Sequence, residues 1–258
     1  HPYAELSVED VLVKSSNIGM ARIGERLGVE GLHQATATFG FGRRTGIELP
    51  GEIDGLVRRR ELWDEYSIGS IPMGQEIAVT PLQLITAHAA LANGGRLIRP
   101  RLLMGGSEAS TPTPLDSIET VDATPAIETS ILRTDIAQWL VSGPMKNVVE
   151  RGTAKSARTP GVSMFGKTGT AQKPDPETGR YSDTRHVCSF ICGAPAENPQ
   201  VLVLVMVDEP TAPGAHYGGT VAAPTGAKVL QYALQRMPYL SHQLTIRPEH
   251  DLPPTRLR

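Results

Sequence analysis

The chain has 258 residues, 40% of them hydrophobic and 20% charged, with a formal net charge of −2. That length and balance describe a globular protein with a sizeable core, organised as one large domain or two small ones. The near-neutral charge gives no electrostatic footprint for nucleic acid, and the longest apolar run, VLVLVMV at 201–207, is far short of the roughly 20 residues of a membrane span.

Along the chain, Ser7-Val8-Glu9-Asp10 reads as a helix start, with Ser7 as N-cap and acidic residues in the first turn. This helix should break near Ser15-Ser16-Asn17. A second then carries Ile18, Ala21, Gly24 and Leu27 along one face, and a third, short one covers 30–38. Residues 39–80 are rich in Gly and turn residues (FGFGRRTGIELPGE, then SIGSIPMGQ) and have room for two short strands at most. Arg58-Arg59-Arg60 reads as a solvated face. Thr80-Pro81-Leu82-Gln83 opens the clearest helix, with a capping Thr, Pro at the first helical position and Gln three residues after the cap; it stops at Asn93-Gly94-Gly95. His88, between Leu84 and Leu91 on it, is expected to be packed and hydrogen-bonded.

Residues 105–125, rich in Ser, Thr, Pro and Gly, are expected to form an exposed connection. A helix from about Thr134 to Val149 follows, interrupted at Gly143-Pro144, with Trp139 expected in the core. From Val162 the pattern turns to strands. A last helix at 224–237 should end before Pro238, leaving 1–238 as the folded domain and 239–258 as a loose tail. There are no internal repeats.

Within the strand region, GVSMFGKT (161–168) satisfies G-x-x-x-x-G-K-[ST], the phosphate-cradling loop, and VLVLVMVDE (201–209) imitates the strand and acidic pair that hold Mg²⁺ in nucleotide hydrolases. The context contradicts both. AKSARTP before Gly161 cannot be a buried strand. GTAQKPDPETGRYSD after Thr168 holds Gly169, Pro174, Pro176 and Gly179 where a helix must begin. Instead VSMFGKTGTAQ, HVCSFICGAP and VLVLVMVDE are joined by loops short enough for an antiparallel meander. No nucleotide is expected. Cys188 and Cys192 would lie about 13 Å apart on a strand, too far to bridge, and read as small strand residues. With no C-x-x-C and no H-E-x-x-H, no metal or other cofactor is expected.

The same stretch contains Lys167-Thr168-Gly169, a motif of serine acyltransferases. On an edge strand it suits peptide chemistry: the ligand backbone lies antiparallel to the strand, Lys167 places a positive charge near the substrate carboxylate, Thr168 and Thr170 offer hydroxyls to it, and Gly169 leaves room for close approach. Ser15-Ser16-Asn17 at a helix break supplies Ser-x-Asn, the second motif of the set. Its serine can relay a proton to the leaving amine, and its amide can grip the substrate's peptide carbonyl. KSSNIG, GFGRRTGIELPGE, MGQEIAVTPLQLITAHAALANGG, VVERGTAKSA, GKTGTAQ and YGGTVAAP follow in order along residues 5–237. In these blocks the chain resembles the transpeptidase domain of class B penicillin-binding proteins, and the KSSN form resembles the septal, cell-division branch more than the elongation branch.

The resemblance implies an α+β fold, an antiparallel sheet with helices on both sides, shared with serine β-lactamases. It also implies acyl transfer. A serine attacks the penultimate carbonyl of a D-alanyl-D-alanine stem peptide, D-alanine leaves, and a neighbouring amine takes the acyl group; β-lactams acylate the same serine. On this resemblance Ser15, Asn17 and Lys167 are catalytic, and Thr168, Gly169, Thr170, Tyr217, Gly218 and Gly219 bind substrate, with the Thr170 amide in the oxyanion hole. Its partners would be stem peptides, β-lactams and membrane proteins of the division machinery. Its place would be the outer, periplasmic face of the cytoplasmic membrane, with any anchor helix outside this chain.

One element is missing. The family's nucleophile lies in Ser-x-x-Lys, and no such tetrapeptide occurs in the 258 residues; Thr170…Lys173 and Thr225…Lys228 are the near matches, both downstream of Ser-x-Asn. As the family places that motif tens of residues before Ser-x-Asn, it is expected upstream of His1, and the chain is expected to be a fragment. The alternatives are a non-catalytic peptidoglycan-binding remnant of the fold and a β-lactamase or sensor relative.

Overall fold

A computed structural model of the chain describes residues 5–102, 128–175, 177–211 and 216–245. The Ser7 hydroxyl accepts from the Asp10 amide and caps α1 (Val8–Lys14). α2 (Asn17–Thr38) contains both of the next expected helices, because the chain leaves helical geometry at Gly28 (φ 67°, ψ 176°) and then resumes it. The Gly-rich stretch that follows is held by a bridge between Leu56 and Ala78.

It also contains a helix the sequence reading missed, α3 (Glu65–Ser70). The signal was Asp64, whose carboxylate accepts from the Ser67 amide while the Ser67 hydroxyl accepts from the Asp64 amide. This reciprocal cap is built from Asp and Ser instead of Ser or Thr with Glu. The basic run is not a plain solvated face. Arg58 pairs with Glu76 and donates to Ser67, and Ser67 and Ser70 also donate to the Glu76 carboxylate. A carboxylate largely shielded from water needs such a partner, and the nearest guanidinium supplies it.

α4 (Pro81–Ala92) starts as expected, with Thr80 and Gln83 capping each other and Pro81 at the first position. His88 Nδ1 lies 2.9 Å from the Leu84 carbonyl oxygen, the packed arrangement anticipated. β1 (Arg96–Ile98) pairs antiparallel with β2 (Glu128–Ser130); three residues each are too few to show a period in the sequence. The expected connection at 105–125 lies outside the described residues.

The expected helix at 134–149 appears as α5 (Thr134–Leu140) and α6 (Lys146–Glu150), separated by a wide π turn at Val141–Met145 that contains Pro144. The proline lacks the amide for a regular bond, and the wider turn absorbs the loss. Trp139 is 40% exposed and is not core, contrary to expectation. The buried stripe runs through Ala137, Val141, Met145 and Val148, and Trp139 sits about 200° around the helix from Ala137.

β3 (Phe165–Pro174), β4 (Tyr181–Ala194) and β5 (Val201–Asp208) form an antiparallel sheet in that order. This is the meander read from the sequence, and it excludes the βαβ unit of a phosphate loop. Helices cover both faces. α8 (Ala223–Thr245), with Val148 and Val149 of α6, packs on Phe190, Cys192, Val203 and Val205. On the other face Leu91, Ala92, Val141 and Met145 pack on Phe165 and Leu202. Cys188 and Cys192 are buried free thiols, and burial pushes Cys192 up to about 12. α7 (Gly218–Val221) leads into α8, which passes Pro238 and reaches Thr245. The expected stop before Pro238 therefore falls inside a helix. Proline removes one backbone bond, and Leu240, Gln243 and Leu244 beyond it favour helix enough for the turn to resume. Residues 246–258 lie outside the described part. Among the described residues no helix is long and apolar enough to cross a membrane.

Candidate active site

Alternate side chains of a strand leave on opposite faces, and β3 uses this to divide the work of its motif. Lys167 projects to the side of α1 and α4, where its Nζ donates to Ser15 Oγ at 2.8 Å and to its neighbour's carbonyl, Thr168 O, at 2.8 Å. Thr168 and Thr170 project to the other side. The Thr168 hydroxyl lies 2.7 Å from that of Thr153, and the Thr170 hydroxyl accepts from the Gly218 amide at 3.1 Å.

Ser15 reaches Lys167 because of how α1 ends. It adopts a left-handed conformation (φ 54°, ψ 51°), held by bonds from the Ser15 amide to Leu12 O and from the Ser16 amide to Val11 O. For a residue other than glycine this costs about 1 kcal/mol. The N-cap of α2 is Ser16, whose hydroxyl accepts from the Gly19 amide at 3.1 Å. Of the two adjacent serines, Ser16 caps the start of α2, and Ser15, which ends α1, is left to meet the lysine. Asn17, the first residue of α2, has its side chain exposed.

α1 is anchored by Arg151, which donates to Asp10 at 2.6 Å and to Glu9 at 2.7 Å, and by Asn147, which donates to Glu9 at 2.7 Å. The guanidinium holds the Asp10 carboxyl below the ordinary carboxylate range. Behind Lys167, burial, followed by the Lys167 charge, lowers His88 despite its bond to Leu84, so α4 presents a neutral imidazole there.

α7 closes on the strand through its two glycines. A Cβ on Gly218 would lie 2.3 Å from Ser189 O and 2.4 Å from Gly169 O, and one on Gly219 would lie 2.2 Å from Thr153 O. The Ser156 hydroxyl donates to the Gly219 carbonyl. Gly218 and Gly219 thus pack against backbone, while Tyr217 beside them is 67% exposed. Of the expected residues, the structure joins Ser15 to Lys167 and Thr170 to Gly218 directly. Asn17 and Tyr217 have exposed side chains. Thr153, Ser156 and Arg151 had no assigned role in the sequence, though all three lie in the VVERGTAKSA block.

Burial pushes the Lys167 ammonium down to about 8 from its ordinary 10.5. Below pH 8 the lysine is an ammonium and donates to Ser15; as pH rises through 8 it becomes an amine able to accept the Ser15 proton. That is the requirement for a proton relay near neutrality. An NMR titration of the Lys167 ε-methylene is expected to show a midpoint near 8, and a midpoint at 10.5 would remove the basis for a relay. The sign for stability follows from the depressed value: the buried ammonium costs stability in full below pH 8, and the cost disappears between 8 and 10.5. Lys167→Met should remove this rise in stability with pH.

Among the described residues β3 has β4 as its strand partner, which leaves its other edge to an extended ligand. On or beside this strand are the Lys167 ammonium and the hydroxyls of Ser15, Thr168 and Thr170. These groups suit an extended peptide ending in a carboxylate.

The family model described as "Penicillin binding protein transpeptidase domain" matches residues 1–231. Stage V sporulation protein D of Bacillus subtilis is 33% identical over 228 residues, covering 88% of this chain and 34% of that protein. The probable peptidoglycan D,D-transpeptidase PenA of Neisseria gonorrhoeae is 35% identical over 231 residues, covering 89% of this chain and 36% of that protein. Among solved structures, penicillin-binding protein 3 of Mycobacterium tuberculosis complexed with aztreonam is similar at a TM-score of 0.75 and 31% identity, over 89% of this chain and 51% of that one. The chain spans about a third of the length of these curated relatives.

Proposed function

Since the chain belongs to the penicillin-binding protein transpeptidase family, we propose that it carries the second and third motifs of a peptidoglycan D,D-transpeptidase acting through an acyl-enzyme. The observation that carries this reading is the 2.8 Å bond from Lys167 Nζ to Ser15 Oγ, which joins two motifs 152 residues apart. Lys167 and Ser15 form the proton relay to the leaving amine. The Asn17 amide holds the peptide carbonyl, Thr168 and Thr170 donate to the terminal carboxylate, and Tyr217 walls the groove. The Thr170 amide contributes to the oxyanion hole. The substrates are D-alanyl-D-alanine stem peptides, with β-lactams as their mimics. Support comes from the relative named as a probable D,D-transpeptidase and from the aztreonam complex of the similar structure.

This reading places the protein on the outer face of the cytoplasmic membrane and, from the KSSN form of the second motif, with the division machinery. The serine nucleophile comes from residues outside these 258, which contain no Ser-x-x-Lys. Covalent labelling by a fluorescent penicillin tests the assignment. The 258-residue chain alone should not be labelled. A chain carrying the residues encoded upstream should be, with at least a hundredfold slower labelling in its Lys167→Ala variant. Labelling of the short chain, or an unchanged rate in that variant, overturns the assignment.

A further inference from the structure

Between the end of α2, α4 and the β1–β2 pair the structure holds a cavity of about 300 Å³. None of its lining residues belongs to the Ser15–Lys167 site. Arg43, Arg44 and Arg99 line it, with Phe39, Leu97 and Pro100 among its apolar walls and, among the described residues, no Asp or Glu. The three cations are not equally compensated. Arg44 faces Asp54 at 3.6 Å, with both side chains well exposed. Arg99 gives its Nε to the Gly46 carbonyl, a neutral acceptor, and among the described residues no carboxylate pairs with it. Arg43 folds back over Gly40, where a Cβ would lie 3.8 Å from Arg43 Nε and 3.7 Å from Leu97 Cδ2. Among the described residues the Arg43 guanidinium makes no hydrogen bond or ion pair.

The acidic residues of the same turn are already engaged. Glu52 accepts from the Thr45 amide at 2.7 Å, the Thr45 hydroxyl at 2.5 Å and the Gly46 amide at 3.0 Å. Asp54 accepts from the Arg44 amide at 3.1 Å. Two guanidinium groups thus share a concave site whose described lining offers them no carboxylate. Guanidinium forks match carboxylate and phosphate oxygens in pairs, and a cleft lined by one sign of charge concentrates the opposite ion.

We propose that this cavity is a second ligand site, for a small organic anion whose carboxylate or phosphate head meets Arg43 and Arg99 and whose apolar body lies against Phe39 and Leu97. A volume at the lower end of ligand pockets limits the body to one ring or a short chain. The inference stands apart from the transpeptidase reading and does not depend on it.

NMR titration of the isotopically labelled full chain tests it, with phenyl phosphate, benzoate and phenol as probes. Phenyl phosphate or benzoate should give saturable shifts at the amides of 40–45 and 97–99, and the tighter of the two names the head group. Phenol, lacking the charge, should bind at least tenfold more weakly. Arg43→Gln removes a side chain with no described partner, so it should fold normally and bind the anion at least fivefold more weakly; Arg99→Gln should do the same. Equal affinity for phenol, unchanged affinity in Arg43→Gln, no saturable shift at these amides, or shifts confined to 167–170 overturns the proposal.

Discussion

Replacing Gly218 by alanine is expected to destabilise the protein by about 3 kcal/mol and to detach α7 from β3. The new methyl would lie 2.3 Å and 2.4 Å from the carbonyl oxygens of Ser189 and Gly169, on two adjacent strands. Neither is a flexible side chain end, so relief requires moving α7 outward. That movement breaks the bond from the Gly218 amide to the Thr170 hydroxyl and frees a group proposed to hold the substrate carboxylate. Urea denaturation measures the stability loss, and the Thr170 and Gly218 amide shifts report the detachment. A change within about 0.5 kcal/mol, the range of an ordinary surface substitution, would show that α7 is not held as described.

Phe190→Ala should cost still more, about 3–5 kcal/mol. Phe190 has 0% exposure at the centre of β4, opposite Thr168 on β3 and Val205 on β5. Its ring lies under α8 against Gly226, where a Cβ would come within 2.7 Å of Phe190 Cδ1. Backbone on one side and sheet on the other leave the void little means of collapse, so the transfer loss and the cavity add. Phe190→Leu, which keeps much of the volume, should cost less than half as much. Equal losses in the two variants would place the cost in ring contacts and not in the void.

The elements that could be read in advance are those whose cause is local. Thr80, Pro81 and Gln83 start α4 through contacts within four residues, and Ser7 does the same for α1. The prolines and glycines after Thr168 forbid a helix whatever surrounds them, which is why the phosphate loop could be rejected and the antiparallel meander expected. α3 was missed although its cause is also local, because its cap uses Asp and Ser in an unfamiliar pairing. Trp139 was misplaced because the wide turn at Val141–Met145 and the packing of the stripe through Ala137 decide which face is buried.

The sequence by itself settled α1, α4, the antiparallel meander of β3 to β5 and the letters of two motifs, since capping, proline geometry and strand alternation act over a few residues. It picked out Ser15 through Ser-x-Asn but could not show how that serine comes to meet Lys167. That was decided by the left-handed end of α1, by Arg151 drawing α1 against α6, and by the strand that brings Lys167 to Ser15 across 152 positions. Nor could it show that Thr153 meets Thr168, or that Arg43 and Arg99 share a cavity. Contacts between distant segments depend on the whole packed arrangement, and only the tertiary structure supplies that.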